Sequence, residues 1–142
     1  SFIDPEYGIP LVPILQNCMV PPLPSMRRCY AFGEVIRRAA EKSGKRVAVV
    51  GTGGLSHAPG APEAGFVDVE FDRKFLDLLT SGKPEQALDI PNARIDQAGF
   101  GTWEIRQWAT AFGASGGKRA RVLVYEAVKE WETGCAACVF DA

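Results

Sequence analysis

A single histidine, His57, stands in this 142-residue chain, and it closes a glycine-rich run, Gly51-Thr52-Gly53-Gly54-Leu55-Ser56-His57. Imidazole is the one side chain whose ordinary pKa lies near neutrality. His57 can therefore act as a general base, a metal ligand or a structural hydrogen-bonder. The apolar residues Val47 to Val50 lead straight into the run. They read as a buried strand, with the glycines forming a tight loop at its end, where α/β proteins place ligand sites. A plain strand-to-loop turn that carries a histidine explains the same residues. Phosphate binding does not fit: the run lacks the Lys-Ser/Thr ending of a P-loop and the third glycine of a dinucleotide fingerprint. Residues 61–67 also carry Pro and Gly, so no helix begins directly after the loop.

The second candidate is Glu104, within Gly99-Phe100-Gly101-Thr102-Trp103-Glu104-Ile105-Arg106-Gln107-Trp108. Thr102 is a natural N-cap, which places Glu104 in the first turn of a helix. Ile105, Trp108, Ala109 and Phe112 then face inward and Gly113 ends the helix. A glutamate in that turn complements the helix dipole, and the same carboxylate can bind a metal. Trp103 and Trp108, at helical spacing, read as packing. Of the four cysteines, only Cys135 and Cys138 have metal or redox spacing. A zinc ribbon needs a second close pair, which Cys18 and Cys29 do not form. Reduced thiols of a cytoplasmic protein are expected, with a zinc or redox pair at Cys135 and Cys138 as the competing reading.

The elements that must position these groups follow from periodicity and caps. Residues 9–15 are apolar and extended, and Pro10 and Pro13 make them an edge or irregular strand. Three prolines in residues 20–24 form a rigid connection. Ser25 caps a helix to about Ser43 with Met26, Cys29, Tyr30, Gly33, Ile36, Ala39 and Ala40 on one face, and Gly44 ends it. Gly33 inside that helix points to close packing on a neighbour. Asp68 caps a helix through Leu79 whose apolar face is Phe71, Phe75, Leu78 and Leu79. Residues 85–97 hold one or two short helices broken by Pro91, Gly116-Gly117 makes a turn, and residues 120–126 form a second buried strand. The expected architecture is α/β: a layered sandwich with a mostly parallel or mixed central sheet, contained in a single domain over residues 1–142.

Composition narrows the function classes. Net charge is −1, with 16 basic and 17 acidic residues well mixed. No basic stripe suggests nucleic acid or an anionic membrane surface. No apolar segment reaches the length of a transmembrane helix and no signal-peptide pattern is present. The hydrophobic share of 46% is enough for a core.

Taken together, the run ending in His57, Pro21-Pro22, Arg28-Cys29-Tyr30 and the stretch from Gly99 to Trp108 resemble one family. It is the class III extradiol ring-cleaving dioxygenases, typified by the catalytic β subunit of protocatechuate 4,5-dioxygenase and including gallate and 2,3-dihydroxyphenylpropionate dioxygenases. The resemblance covers nearly the whole chain. It implies that His57 is the catalytic acid/base, that Glu104 is an iron ligand, and that the cofactor is Fe(II) in a two-His, one-carboxylate triad. It implies a catecholic acid and O2 as substrates, ring opening beside the diol, and Gly53, Gly54 and Ser56 at the substrate. With one histidine, the chain cannot supply the two iron-binding histidines, which the family carries in an N-terminal half. The chain therefore resembles a C-terminal half. Ser1 as first residue points the same way. An N-terminal segment or separate chain is the expected partner, with a small α-type subunit or a second copy as further partners, and the isolated chain is expected to be inactive. A non-catalytic interaction module that keeps the family fold is the alternative.

Overall fold

The computed structural model describes residues 4–6, 8–62 and 65–140. Its elements run α1 (Met26–Ser43), α2 (Val69–Thr80), a 3-10 turn (Pro84–Asp89), α3 (Asn92–Gln97), a 3-10 turn (Phe100–Glu104), α4 (Ile105–Ala114), β1 (Ala120–Val128), a 3-10 turn (Lys129–Trp131) and β2 (Thr133–Phe140). The mixture of helices and sheet is the α/β class expected. Among the described residues the sheet is a two-stranded antiparallel hairpin, β1 with β2.

The helix ends follow their caps. The Ser25 hydroxyl accepts from the Arg28 N–H at 3.2 Å, and Gly44 closes α1 in the left-handed region at φ 64°. Asp68 caps α2 by accepting from the Phe71 N–H at 2.9 Å. Pro91 separates the 3-10 turn at 84–89 from α3. Glycine allows α1 and α4 to meet: a Cβ on Gly33 would collide with the Thr110 carbonyl, and one on Gly113 with that of Tyr30. Gly113 thus serves inside α4, which continues to Ala114, and does not end it. Phe71, Phe75 and Leu79 from α2 and Ile105, Trp108 and Phe112 from α4 form the centre of the core with Leu55 and Ile95. Full burial of one such side chain contributes roughly 1.5–3 kcal/mol. Phe75 meets Trp108 edge-on at 5.9 Å, and Phe140 at the end of β2 stacks on Phe112 at 5.7 Å, which ties the hairpin to α4.

Three expected strands turn out differently. Residues 9–15 are extended and pair with no strand among the described residues, and Leu11, Val12 and Leu15 are 86%, 80% and 100% exposed. Residues 46–50 are extended without a ladder, and Val50 is 78% exposed rather than buried. Apolar patterning reports a demand for burial; a strand also needs a neighbour that offers backbone donors and acceptors. Residues 120–126 do form a strand, yet Leu123 and Val124 are about half exposed. Beyond Val128, β2 forms the second arm of the hairpin. Cys135 and Cys138 lie three apart on β2, where pairing is regular, so they face opposite sides of the sheet. That geometry overturns a shared zinc or redox role for the two thiols. Among the described residues, no three His, Cys, Asp or Glu side chains cluster so as to hold a metal.

Candidate active site around His57 and Glu104

The segment Gly51–Gly54 lies across the start of α4. At Gly53 the approach is closest: a Cβ there would collide with the Glu104 carbonyl. The Trp108 indole N–H donates to the Gly53 carbonyl at 2.7 Å, and the Thr52 hydroxyl bonds Gln107 at 3.0 Å. Trp108 is thus both a packing residue and a clamp on the loop. Next in line, the Gly54 N–H donates to Glu104 Oε2 at 2.7 Å.

His57 reaches the same place. A Cβ built on Gly54 would sit 3.2 Å from His57 Cε1 and 3.4 Å from Glu104 Oε2, so the imidazole and the carboxylate converge on this one residue. His57 Nδ1 lies 2.8 Å from the Leu55 carbonyl. A carbonyl can only accept, so Nδ1 carries the hydrogen and Nε2 of the neutral ring keeps its lone pair. The ring lies against Gly101, where any Cβ would overlap it, and the Gly101 N–H donates to the His57 carbonyl at 3.1 Å. The 3-10 turn at 100–104 therefore shapes the site at both ends: Gly101 makes room for the imidazole and Glu104 presents its carboxylate. This turn corrects the expected cap. Thr102 is buried within it and its hydroxyl donates to the Ala98 carbonyl at 2.7 Å, while Glu104 stands at the N-cap position of α4.

Behind the histidine, the loop is fixed by a buried carboxylate that the sequence did not reveal. Asp72, on α2, is fully buried and accepts from the Ser56 N–H at 2.9 Å, the Ser56 hydroxyl at 2.9 Å and the Tyr125 hydroxyl at 3.0 Å. Burial pushes its carboxyl pKa up against the lowering effect of the Ser56 and Tyr125 hydrogen bonds. Burial, with the charge of Asp72 beside it, also pushes the Tyr125 phenol up. Gly134 on β2 leaves the space that Asp72 occupies, and its backbone pairs with the loop: Leu55 N–H to Gly134 carbonyl at 3.1 Å, Gly134 N–H to Ser56 carbonyl at 3.0 Å. Ser56, read from sequence as a substrate contact, has its hydroxyl bound to Asp72.

Arg106 was also missed. It is buried, and its guanidinium donates to the carbonyls of Pro24 at 2.8 Å and Trp103 at 3.2 Å and to Asn92 Oδ1 at 3.2 Å. These bonds join the proline-rich connection, the turn bearing Glu104 and the start of α3. An aspartate within the apolar stripe of α2 and an arginine beside Glu104 carry no spacing signal of their own. The burial that singles them out is a tertiary property.

Comparison with known proteins gives the chain's family. A family model described as the catalytic LigB subunit of aromatic ring-opening dioxygenase matches residues 1–136. The chain is 32% identical to a 2,3-dihydroxyphenylpropionate/2,3-dihydroxicinnamic acid 1,2-dioxygenase of Cupriavidus necator, with 92% of this chain and 56% of the relative covered. It is 30% identical to an enzyme of the same description, numbered 1, from Pseudomonas putida, over 88% of this chain and 55% of the relative. The chain spans about half the length of the curated relatives it matches. The match to Cupriavidus necator runs over 176 aligned positions against 142 residues here, so part of the relative's matched stretch has no counterpart in this chain. With the family model covering nearly its whole length, the chain belongs to the family of the catalytic LigB subunit of aromatic ring-opening dioxygenases.

Proposed function

We propose that this chain is part of a non-heme Fe(II) extradiol dioxygenase that opens the ring of a catecholic aromatic acid of the protocatechuate, gallate or dihydroxyphenylpropionate type. The observation that supports this reading best is the convergence of His57 and Glu104 on Gly54. One carboxylate and one proton-carrying imidazole beside a glycine, where no side chain blocks a ligand, suit a site that binds a metal and deprotonates a phenol.

Glu104 fits one position of a two-His, one-carboxylate site. The Gly54 N–H holds one carboxylate oxygen, and such an outer hydrogen bond orients a ligand and leaves the second oxygen for the metal. The two histidines of that site come from outside these residues, since His57 is the only one here and serves as acid/base. Bound Fe(II) supplies a centre at which the diol and O2 meet and exchange electrons. The chain's own contribution is proton handling. Nε2 of His57 accepts a proton from a catechol hydroxyl. The resulting imidazolium keeps its Nδ1–H on the Leu55 carbonyl, which stabilises the charge and holds the ring in place. The same Nε2–H then returns the proton as the ring opens. Gly53 and Gly54 give shape by letting the loop lie on Glu104, and Ser56 acts through Asp72 to hold His57 rather than on the substrate. A partner that completes the iron site, and location in the cytoplasm, belong to the same reading.

The test is ring opening by a complete protein, this chain with the rest of a family-length polypeptide, loaded anaerobically with Fe(II) and offered several catechols. A yellow semialdehyde is expected, lost about 10²–10⁴-fold in His57→Gln with iron retained, and lost with the iron in Glu104→Gln. No product from any catechol overturns the reading. A non-catalytic module that keeps the fold would show no iron binding and no effect of Glu104→Gln.

A further inference from the structure

A groove of about 950 Å³ runs along the molecule between the extended residues 47–53 and the end of β2. Its floor is α4, through Trp108, Ala111 and Ala114, and its far wall is residues 136–140. The two walls start from one point. At Leu55, Ser56 and His57 the loop bonds directly to Thr133 and Gly134 of β2 in antiparallel fashion. Upstream of Gly54 the loop and β2 diverge, and the groove opens between them.

Both walls are prepared for hydrogen bonding. Gly134 turns its N–H and C=O outward to the histidine loop. β2 is regular, the one irregularity of the hairpin lying in β1 between Val122 and Val124. The alternation of an antiparallel ladder therefore turns the backbone of Ala136, Cys138 and Phe140 outward as well, into the groove. On the opposite wall no backbone hydrogen bond joins residues 46–53 to a strand among the described residues, although Val47, Val49 and Val50 are 52%, 39% and 78% exposed. A β-branched, extended, unpaired segment facing an unpaired strand edge is a seat for a missing strand. Each wall offers about five residues, roughly the length of an ordinary strand at about 3.4 Å per residue.

We infer that the groove receives an extended, apolar β-strand from the remainder of a family-length polypeptide, bonded on one side to residues 47–51 and on the other to residues 136–140. This rests on the reading above that the chain works as part of a longer enzyme. The occupant is identified by what is outside this chain, which covers 55–56% of the curated relatives cited. The seat ends at Gly53, beside Gly54, His57 and Glu104. The inserted strand therefore ends beside His57 and Glu104.

Hydrogen–deuterium exchange tests this on the 142-residue chain and on the chain joined to the rest of a family-length protein. In the chain alone, the amides of residues 47–51 and of Ala136, Cys138 and Phe140 exchange fast. In the joined protein they slow at least 100-fold, approaching the amides shared by β1 and β2. Val49→Pro, which removes a donor in a segment unpaired here, abolishes that protection, and Val49→Thr keeps it. A folded joined protein whose groove amides stay fast overturns the inference. So does protection that arises in the isolated chain with rising concentration, which would make a second copy the occupant. Ring opening is scored separately, so groove protection without catalysis would defeat the proposed reaction and leave the strand in place.

Discussion

Behind His57, the carboxylate of Asp72 accepts three hydrogen bonds, and Gly134, Leu55 and Ser56 close a backbone pair around it. Ahead of His57, residues 46–50 lie extended with no strand paired to them among the described residues, and Val50 is 78% exposed. The same loop joins both regions, and both are rich in apolar residues. What separates them is the supply of partners. On the closed side, α2, the hairpin and the loop come from this one chain. On the open side the apolar residues have helix α4 below them and, among the described residues, no neighbouring strand. A strand-like sequence therefore became structure only where a second strand existed to receive it.

The contrast can be broken at the closed side first. Asp72→Ala should leave the Ser56 N–H, the Ser56 hydroxyl and the Tyr125 hydroxyl without their acceptor, at about 1–3 kcal/mol for each buried group left unsatisfied. A loss of several kcal/mol in urea unfolding is expected, and a loss below about 1 kcal/mol would show that the cluster does not fix the loop. Gly33→Ala should cost about 1–3 kcal/mol, because a Cβ there meets α4 backbone that cannot swing aside. Trp108→Phe keeps the ring packing but removes the bond to the Gly53 carbonyl, for about 1 kcal/mol and faster amide exchange at Gly54. On the open side, Val50→Thr should change the stability of the isolated chain by less than about 0.5 kcal/mol. A larger loss would mean that this segment is already packed.

A pH series sharpens the same comparison. Burial raises the Asp72 pKa above its ordinary value of 3.8. Between the unfolded and folded values the native state holds the extra proton, so stability contributed by Asp72 is complete below 3.8 and falls as pH rises through the folded value. Asp72→Asn should remove that decline while retaining much of the hydrogen bonding. A decline of unchanged size in the variant would assign it to another group.

Much of the helical framework was legible because its causes are local. Ser25 and Gly44 bound α1, Asp68 opens α2 and Pro91 divides the short helices. The apolar faces of α2 and α4 followed from spacing, since a helix closes its own hydrogen bonds and needs only a surface to pack on. At the site, His57 stood out as the lone imidazole after a glycine run, and Glu104 by its setting between Gly99 and Trp108. The cap at Thr102 was misplaced because its hydroxyl found the Ala98 carbonyl, closing a 3-10 turn in which Gly101 could lie against the imidazole. Asp72, Tyr125 and Arg106 were invisible because a buried polar residue looks like any other until its surroundings are known.

The sequence by itself determined where α1 and α2 start and stop and which imidazole and carboxylate could do chemistry, because caps, turns and residue types act within a few positions of the chain. Only the tertiary structure decided that His57 and Glu104 meet at Gly54, that Asp72 holds the loop from behind, and that residues 46–50 form one wall of an open groove rather than a buried strand. Those outcomes depend on which donors, acceptors and surfaces arrive from distant parts of the chain, and no local pattern encodes that supply.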